Sequence, residues 1–167
     1  RQLTKEIEVS ISRSKRWRAD KKNVSKSPRK HQLIALENWE KNGRRGIFEH
    51  ATGSGKTFTA ICAIRDALDR HKTVLVLVPS KELLRQWRKE IGENIQDIEI
   101  QYLLCGDGNN AWKKDNLLRL WTSPSDSMNK ITIAIMDTAC SGQFMNSVLP
   151  GEHLLVVADE VHRIGSS

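Results

Sequence analysis

Cysteine is scarce in this sequence of 167 residues, and what there is does not group. Cys62, Cys105 and Cys140 are odd in number and far apart, with no CxxC pair and no histidine at ligand spacing. That pattern supports neither a disulfide framework nor a zinc site, and three thiols in or near a core are expected instead. Long apolar runs are missing too. No stretch approaches the roughly 18 to 20 residues needed to span a bilayer, and the start shows no signal-peptide pattern. Four prolines and ten glycines are too few for a low-complexity chain. These absences point to a soluble intracellular protein, cytoplasmic or, in a eukaryote, nuclear. The first residue is Arg rather than Met, as expected of a piece of something longer.

What is present is a hydrophobic content of 38%, enough for one α/β domain with its own core. The net charge of +7 is unevenly spread. Residues 1–27 carry nine Lys or Arg against three acids, Glu6, Glu8 and Asp20, a surplus of six that leaves the rest almost neutral. Such a segment suits a phosphate backbone without reading its sequence, and it equally suits a solvated linker. We expect residues 1–27 to be a basic linker or the end of an upstream segment, with Ile7, Val9 and Ile11 permitting one short strand. Residues 28–167 are expected to form the folded domain.

From Pro28 onwards the pattern is periodic. Leu33, Leu36 and Trp39 predict a helix of about a dozen residues that stops near Gly43. Gly46 to Phe48 reads as a short strand leading into a glycine-rich loop, followed by a helix over Phe58 to Leu68. Thr73 to Val78, TVLVLV, is the continuous β-branched run of a strand covered on both faces. Pro79 ends it, and Ser80 can cap a helix whose Leu83, Leu84, Trp87 and Ile91 form an apolar stripe. Ile98 to Leu104, Ile131 to Met136 and Leu154 to Ala158 read as further strands, with a weaker helical pattern from Trp112 to Trp121. Strands alternating with helices predict βαβ units around a mostly parallel sheet.

Two segments carry chemistry. The first is HATGSGKT, His50 to Thr57, between a short strand and a helix. Thr52, Gly53, Ser54 and Gly55 can fold the backbone tightly around an anion, with N–H groups and a helix N-terminus aimed at a phosphate. Lys56 would reach the β- and γ-phosphates of ATP, and the Thr57 hydroxyl would bind the Mg²⁺ that bridges them. His50 stands where the general pattern has Gly or Ala and reads as a packing residue. The second segment is Leu154 to Glu160, where a buried strand delivers Asp159 and Glu160 at its carboxyl end, the edge at which open α/β sheets bind ligands. Asp159 would hold Mg²⁺ through its water shell, Glu160 would orient and deprotonate the attacking water, and His162 could relay the nucleotide state.

These segments resemble a known superfamily. Ala51 to Thr57 resembles motif I of superfamily 2 helicases, and VADEVH resembles motif II of DEAD/DEAH-type proteins, here as DEVH. Arg29 and Gln32 in SPRKHQLIALENW look like the upstream RxxQ element, whose glutamine amide pairs with the adenine edge. VLVPSKELLRQW, Val76 to Trp87, looks like motif Ia, which implies nucleic-acid backbone contacts from Pro79 and Ser80. IAIMDTACSG is a looser match to the next contacting element, with Thr138 at its centre. The stripe of Leu83, Leu84 and Trp87 is read as core. The resemblance covers residues 28 to 165 and implies a three-layer, RecA-like P-loop domain, with a mostly parallel central sheet flanked by helices. It further implies a nucleic-acid motor that uses ATP and Mg²⁺. The wording is closer to the restriction-enzyme and repair translocases than to DEAD-box RNA proteins, which favours DNA over RNA.

No SAT-like motif III and no arginine-bearing motif VI follows motif II. The resemblance therefore implies a second RecA-like domain C-terminal to this one as partner. Loss of a transition-state arginine typically costs about 10³ to 10⁵ in rate, so this chain alone is expected to turn ATP over slowly. Two other readings stay open. One is a P-loop NTPase of another class, a switch or small-molecule kinase, which nucleic acid would not stimulate. The other is a nucleic-acid-binding module with a vestigial ATP site, in which loss of Lys56 or Glu160 would change nothing.

Overall fold

The computed structural model describes residues 27–48 and 55–160. The basic segment, the strand permitted at Ile7 to Ile11, and the residues His50, Thr52, Gly53, Ser54 and His162 lie outside the described residues. Two compact units divide the chain: Arg1–Ala63 with Glu93–Asp97, and Ile64–Gly92 with Ile98–Ser167.

In the first unit, helix α1 runs Lys30–Lys41. It buries Gln32, Leu36 and Trp39, one face at helical spacing. Gly43 and Arg44 end it with φ of 68° and 63°, a left-handed exit that glycine makes without strain. Arg44 folds back to pair with Glu40 at 2.8 Å, its guanidinium 5.9 Å from the centroid of the Trp39 ring. The strand expected at Gly46 to Phe48 is not formed. Gly46 has φ 150° and Ile47 is 82% exposed, so the stretch has neither strand pairing nor a buried face, while Phe48 lies against Trp39. Helix α2 begins in this unit and spans Lys56–Asp69.

The second unit holds the sheet. Strands β1 (Thr73–Val78), β2 (Ile100–Cys105), β3 (Asn129–Ile135) and β4 (Leu154–Ala158) pair in the order β2-β3-β1-β4, all parallel. Helix α3 (Lys81–Asn94) follows β1, and the helical segments between β2 and β4 are short: a 3-10 turn at Ala111–Lys113, α4 (Leu117–Thr122), α5 (Met136–Ala139) and α6 (Gly142–Ser147). This is the α/β architecture expected, a parallel sheet flanked by helices, as a RecA-like three-layer domain has.

Side-chain alternation sorts the sheet into two faces. Leu75, Leu103, Cys105 and Ala134 pack in one cluster with Trp112, Leu118 and Phe144, the rings of Trp112 and Phe144 5.4 Å apart edge to face. Val74, Val76, Val78, Ile131 and Ile133 point the other way, at most 1% exposed. Burial of both faces explains why β1 reads as an unbroken apolar run.

Three local expectations shift. The helical stretch from Trp112 to Trp121 is broken, because Asp115 and Asn116 take left-handed φ of 52° and 54° and separate the 3-10 turn from α4. Met136 begins α5 rather than ending β3. Cys62 and Cys105 are buried, and burial pushes both thiols up to about 12, but Cys140 is exposed, beyond the end of α5. Among the described residues, no helix is long and apolar enough to cross a membrane.

Candidate nucleotide site

Gly55 is the residue from which α2 starts, its carbonyl accepting the first helical bond, from the Thr59 N–H, at 3.0 Å. By helix geometry the N–H groups of Lys56, Thr57 and Phe58 have no partner inside the helix. No acidic side chain occupies this first turn, so the positive end of the helix is left uncompensated by the helix itself. Lys56 is exposed and Thr57 is half-buried at the same end. A cationic side chain, outward N–H groups and a hydroxyl at one helix start make a set that fits a phosphate.

The RxxQ pair sits directly behind this turn. Arg29 is the N-cap of α1 and Gln32 its third residue, so the spacing is that of a helix start in which the glutamine reaches back. The Arg29 N–H donates to Gln32 Oε1 at 2.8 Å, and Gln32 Nε2 donates to the Gly55 carbonyl at 3.1 Å. Gly55 has φ 87°, and a Cβ there would come within 2.6 Å of Gln32 Nε2. Glycine is required at 55 on both counts. Gln32, only 3% exposed, thus ties the start of α1 to Gly55 at the start of α2. The sequence does not announce this bond, because a glutamine on a helix gives no sign of a carbonyl 23 residues on.

The acidic end belongs to the second unit. β4 runs alongside β1 and delivers Asp159 at the carboxyl edge of the sheet, where the Asp159 N–H donates to the Leu77 carbonyl at 2.9 Å. The indole N–H of Trp87 donates to Asp159 Oδ2 at 2.8 Å. Oδ1 points to no hydrogen-bond partner among the described residues, which fits a carboxylate that meets a cation through water. Glu160, exposed, has φ 51°, a left-handed conformation that costs a non-glycine residue about 1 to 3 kcal/mol and recurs at functional sites. Among the described residues, no three His, Cys, Asp or Glu side chains cluster to hold a metal.

The residues expected to meet nucleic acid lie at the same edge of this sheet. Pro79 and Ser80 follow β1, and Thr138 lies in α5 after β3. Ser80 caps α3, its oxygen accepting the Leu83 N–H at 3.3 Å, and its hydroxyl binds Glu82. Hydrogen bonds from its own backbone and from Ser80 hold the Glu82 carboxyl below its ordinary range. Thr138 packs against the end of β2: a Cβ on Gly106 would meet Thr138 Oγ1 at 3.1 Å and Ile135 Cδ1 at 2.8 Å. Arg85, on α3, reaches the next turn and pairs with Asp107 at 2.5 Å.

Residues 25–167 match the family described as type III restriction enzyme, res subunit. No curated protein matches the chain. The match takes in the RxxQ element, the phosphate loop, the four strands and the acidic strand end. The chain therefore belongs to the type III restriction enzyme res subunit family and contains its superfamily 2 helicase-like, RecA-type ATP-binding domain.

Proposed function

We propose that this domain couples ATP hydrolysis to movement along nucleic acid, with DNA preferred over RNA. The observation that carries the reading is the start of α2, a helix N-terminus with no acid, a lysine and outward N–H groups, behind a glycine that Gln32 braces. In a chain of this family that turn is the place for the nucleotide's phosphates.

Each candidate residue has a role in this reading. The loop Thr52 to Gly55 wraps the β-phosphate, and Lys56 neutralises charge on the β- and γ-phosphates. Thr57 and Asp159 would hold Mg²⁺, which would supply positive charge to offset that of the phosphates. Glu160 accepts a proton from the attacking water. His162 passes the nucleotide state to neighbouring loops. Arg29 and Gln32 form the adenine end, where the base competes with the bonds Gln32 makes to Arg29 and Gly55. Pro79, Ser80 and Thr138 meet the nucleic-acid backbone, and residues 1–27 add sequence-independent attraction to phosphates. Residues 28–167 act as one RecA-like domain whose partner is a second, arginine-bearing domain, in a cytoplasmic protein.

ATP turnover by the full-length protein, measured with duplex DNA, single-stranded DNA and RNA, tests the proposal. Stimulation is expected with DNA and falls with rising salt, as phosphate contacts require. Stimulation by RNA alone overturns the DNA preference. No stimulation by any nucleic acid overturns the motor reading.

A further inference from the structure

We infer that Trp87 is a positioning residue for Asp159: its indole N–H fixes the orientation of the carboxylate that faces the metal. The inference rests on the proposed ATP site and adds a residue whose place in an apolar stripe marked it only as core.

The geometry is specific. Trp87 is 2% exposed on α3, among Leu84 and Ile91, where any large apolar side chain would fill the space. Its Nε1–H nevertheless meets Asp159 Oδ2, 72 residues away, at 2.8 Å. A buried indole does not find an acceptor automatically in this fold. The Nε1 atoms of Trp112 and Trp121 are buried with no hydrogen-bond partner among the described residues. Of these three indoles, the one with an acceptor is the one directed at the acidic strand end.

The chemistry of the donor matters as much as its place. An indole has one proton to give, in the plane of a rigid ring, and no charge. A lysine or arginine at this position would orient the carboxylate but also neutralise it, weakening its attraction for a cation. The indole orients it and leaves the charge intact. The Asp159 N–H is held by Leu77 of β1, so the residue is fixed at its backbone by one element and at its side chain by another. With Oδ2 taken, Oδ1 is the oxygen presented to a metal's water shell. Partners of this kind behind a metal-facing group typically change metal affinity by about 10- to 100-fold when lost.

The test is Mg²⁺-dependent binding of a fluorescent ADP analogue to the full chain, titrated with Mg²⁺ and repeated in EDTA. Trp87→Phe keeps most of the ring and removes the donor. It is expected to raise the Mg²⁺ concentration at half-effect about tenfold while leaving metal-free nucleotide affinity unchanged. Ile91→Val trims the same stripe and is expected to keep the wild-type Mg²⁺ dependence. A Trp87→Phe protein that binds nucleotide with unchanged Mg²⁺ dependence overturns the inference and leaves the ATP site standing. A wild-type chain with no Mg²⁺-dependent nucleotide binding overturns the ATP-site reading, and the inference with it. A second measurement needs no change at Trp87. The five tryptophans give five ¹⁵N-indole resonances, and Asp159→Ala is expected to move one of them strongly upfield. Five unmoved resonances overturn the inference even if Trp87→Phe does not fold.

Discussion

Two helices of equal length, α2 and α3, begin in opposite ways. α2 starts from a glycine, with no capping side chain to spend on its first N–H groups and no acid in its first turn. α3 starts from Ser80, which caps it, and carries Glu82 in its first turn. Both N-termini have the same intrinsic positive end. The second is capped by Ser80, whereas the first carries no acid in its opening turn. In the proposed function this difference separates the helix start that takes the nucleotide's phosphates from the one that meets the nucleic-acid backbone.

The contrast can be broken from either side, and the largest effect is expected at Gly55. Gly55→Ala places a Cβ 2.6 Å from Gln32 Nε2 at φ 87° and should cost about 1 to 3 kcal/mol in urea unfolding. Adding Gln32→Ala relieves the contact but not the backbone strain, so only part of the loss should return. Full additivity of the two changes would show that Gln32 does not brace the loop.

Ser80→Ala removes the α3 cap and should cost about 1 kcal/mol by the same unfolding measurement, whereas Ser80→Gly should cost only a few tenths. Nucleic-acid affinity separates capping from contact. If Ser80 touches the phosphate backbone, both substitutions weaken DNA binding to a similar degree, because both remove the hydroxyl. DNA affinity retained in Ser80→Gly would make Ser80 a cap alone.

The smallest effect concerns Glu82, whose folded pKa lies below its ordinary value of 4.5. A depressed carboxyl stabilises the fold above its unfolded pKa, and the contribution is lost as pH falls through the folded value. Stability should therefore decline slightly between about pH 4.5 and the lower folded pKa. Glu82→Gln should remove that part of the pH dependence and raise DNA affinity about twofold at low salt. An unchanged pH profile would mean that α3 does not use Glu82 at its start.

Much of this architecture is legible in the sequence, for physical reasons. The run TVLVLV fits only a strand buried on both faces, and Ser80 after Pro79 is suited to cap the helix after it. The ATGSGKT and DEVH segments stand out because the chemistry proposed for them fixes residue types at short spacing. Gly46 to Phe48 misleads because three apolar-looking residues do not state whether a neighbour exists to pair with them. Asp115 and Asn116 break an expected helix because left-handed residues follow from local backbone energetics that periodicity does not register. Trp87 is the deeper miss. Its position in the stripe correctly signals burial, but burial of an indole raises the separate question of where its N–H goes. The answer lies 72 residues away, and only the pairing of β1 with β4 brings it near.

The proposed function gives Lys56 the nucleotide's phosphates and Asp159 a metal. Equilibrium binding of ATP to the full chain, with and without Mg²⁺, tests it most directly. Lys56→Ala should weaken binding at least about a hundredfold in both conditions, as loss of a preorganised charge on phosphate does. Asp159→Asn should leave metal-free binding intact and abolish the gain from Mg²⁺. Wild-type affinity in Lys56→Ala, or an undiminished Mg²⁺ gain in Asp159→Asn, would contradict the account.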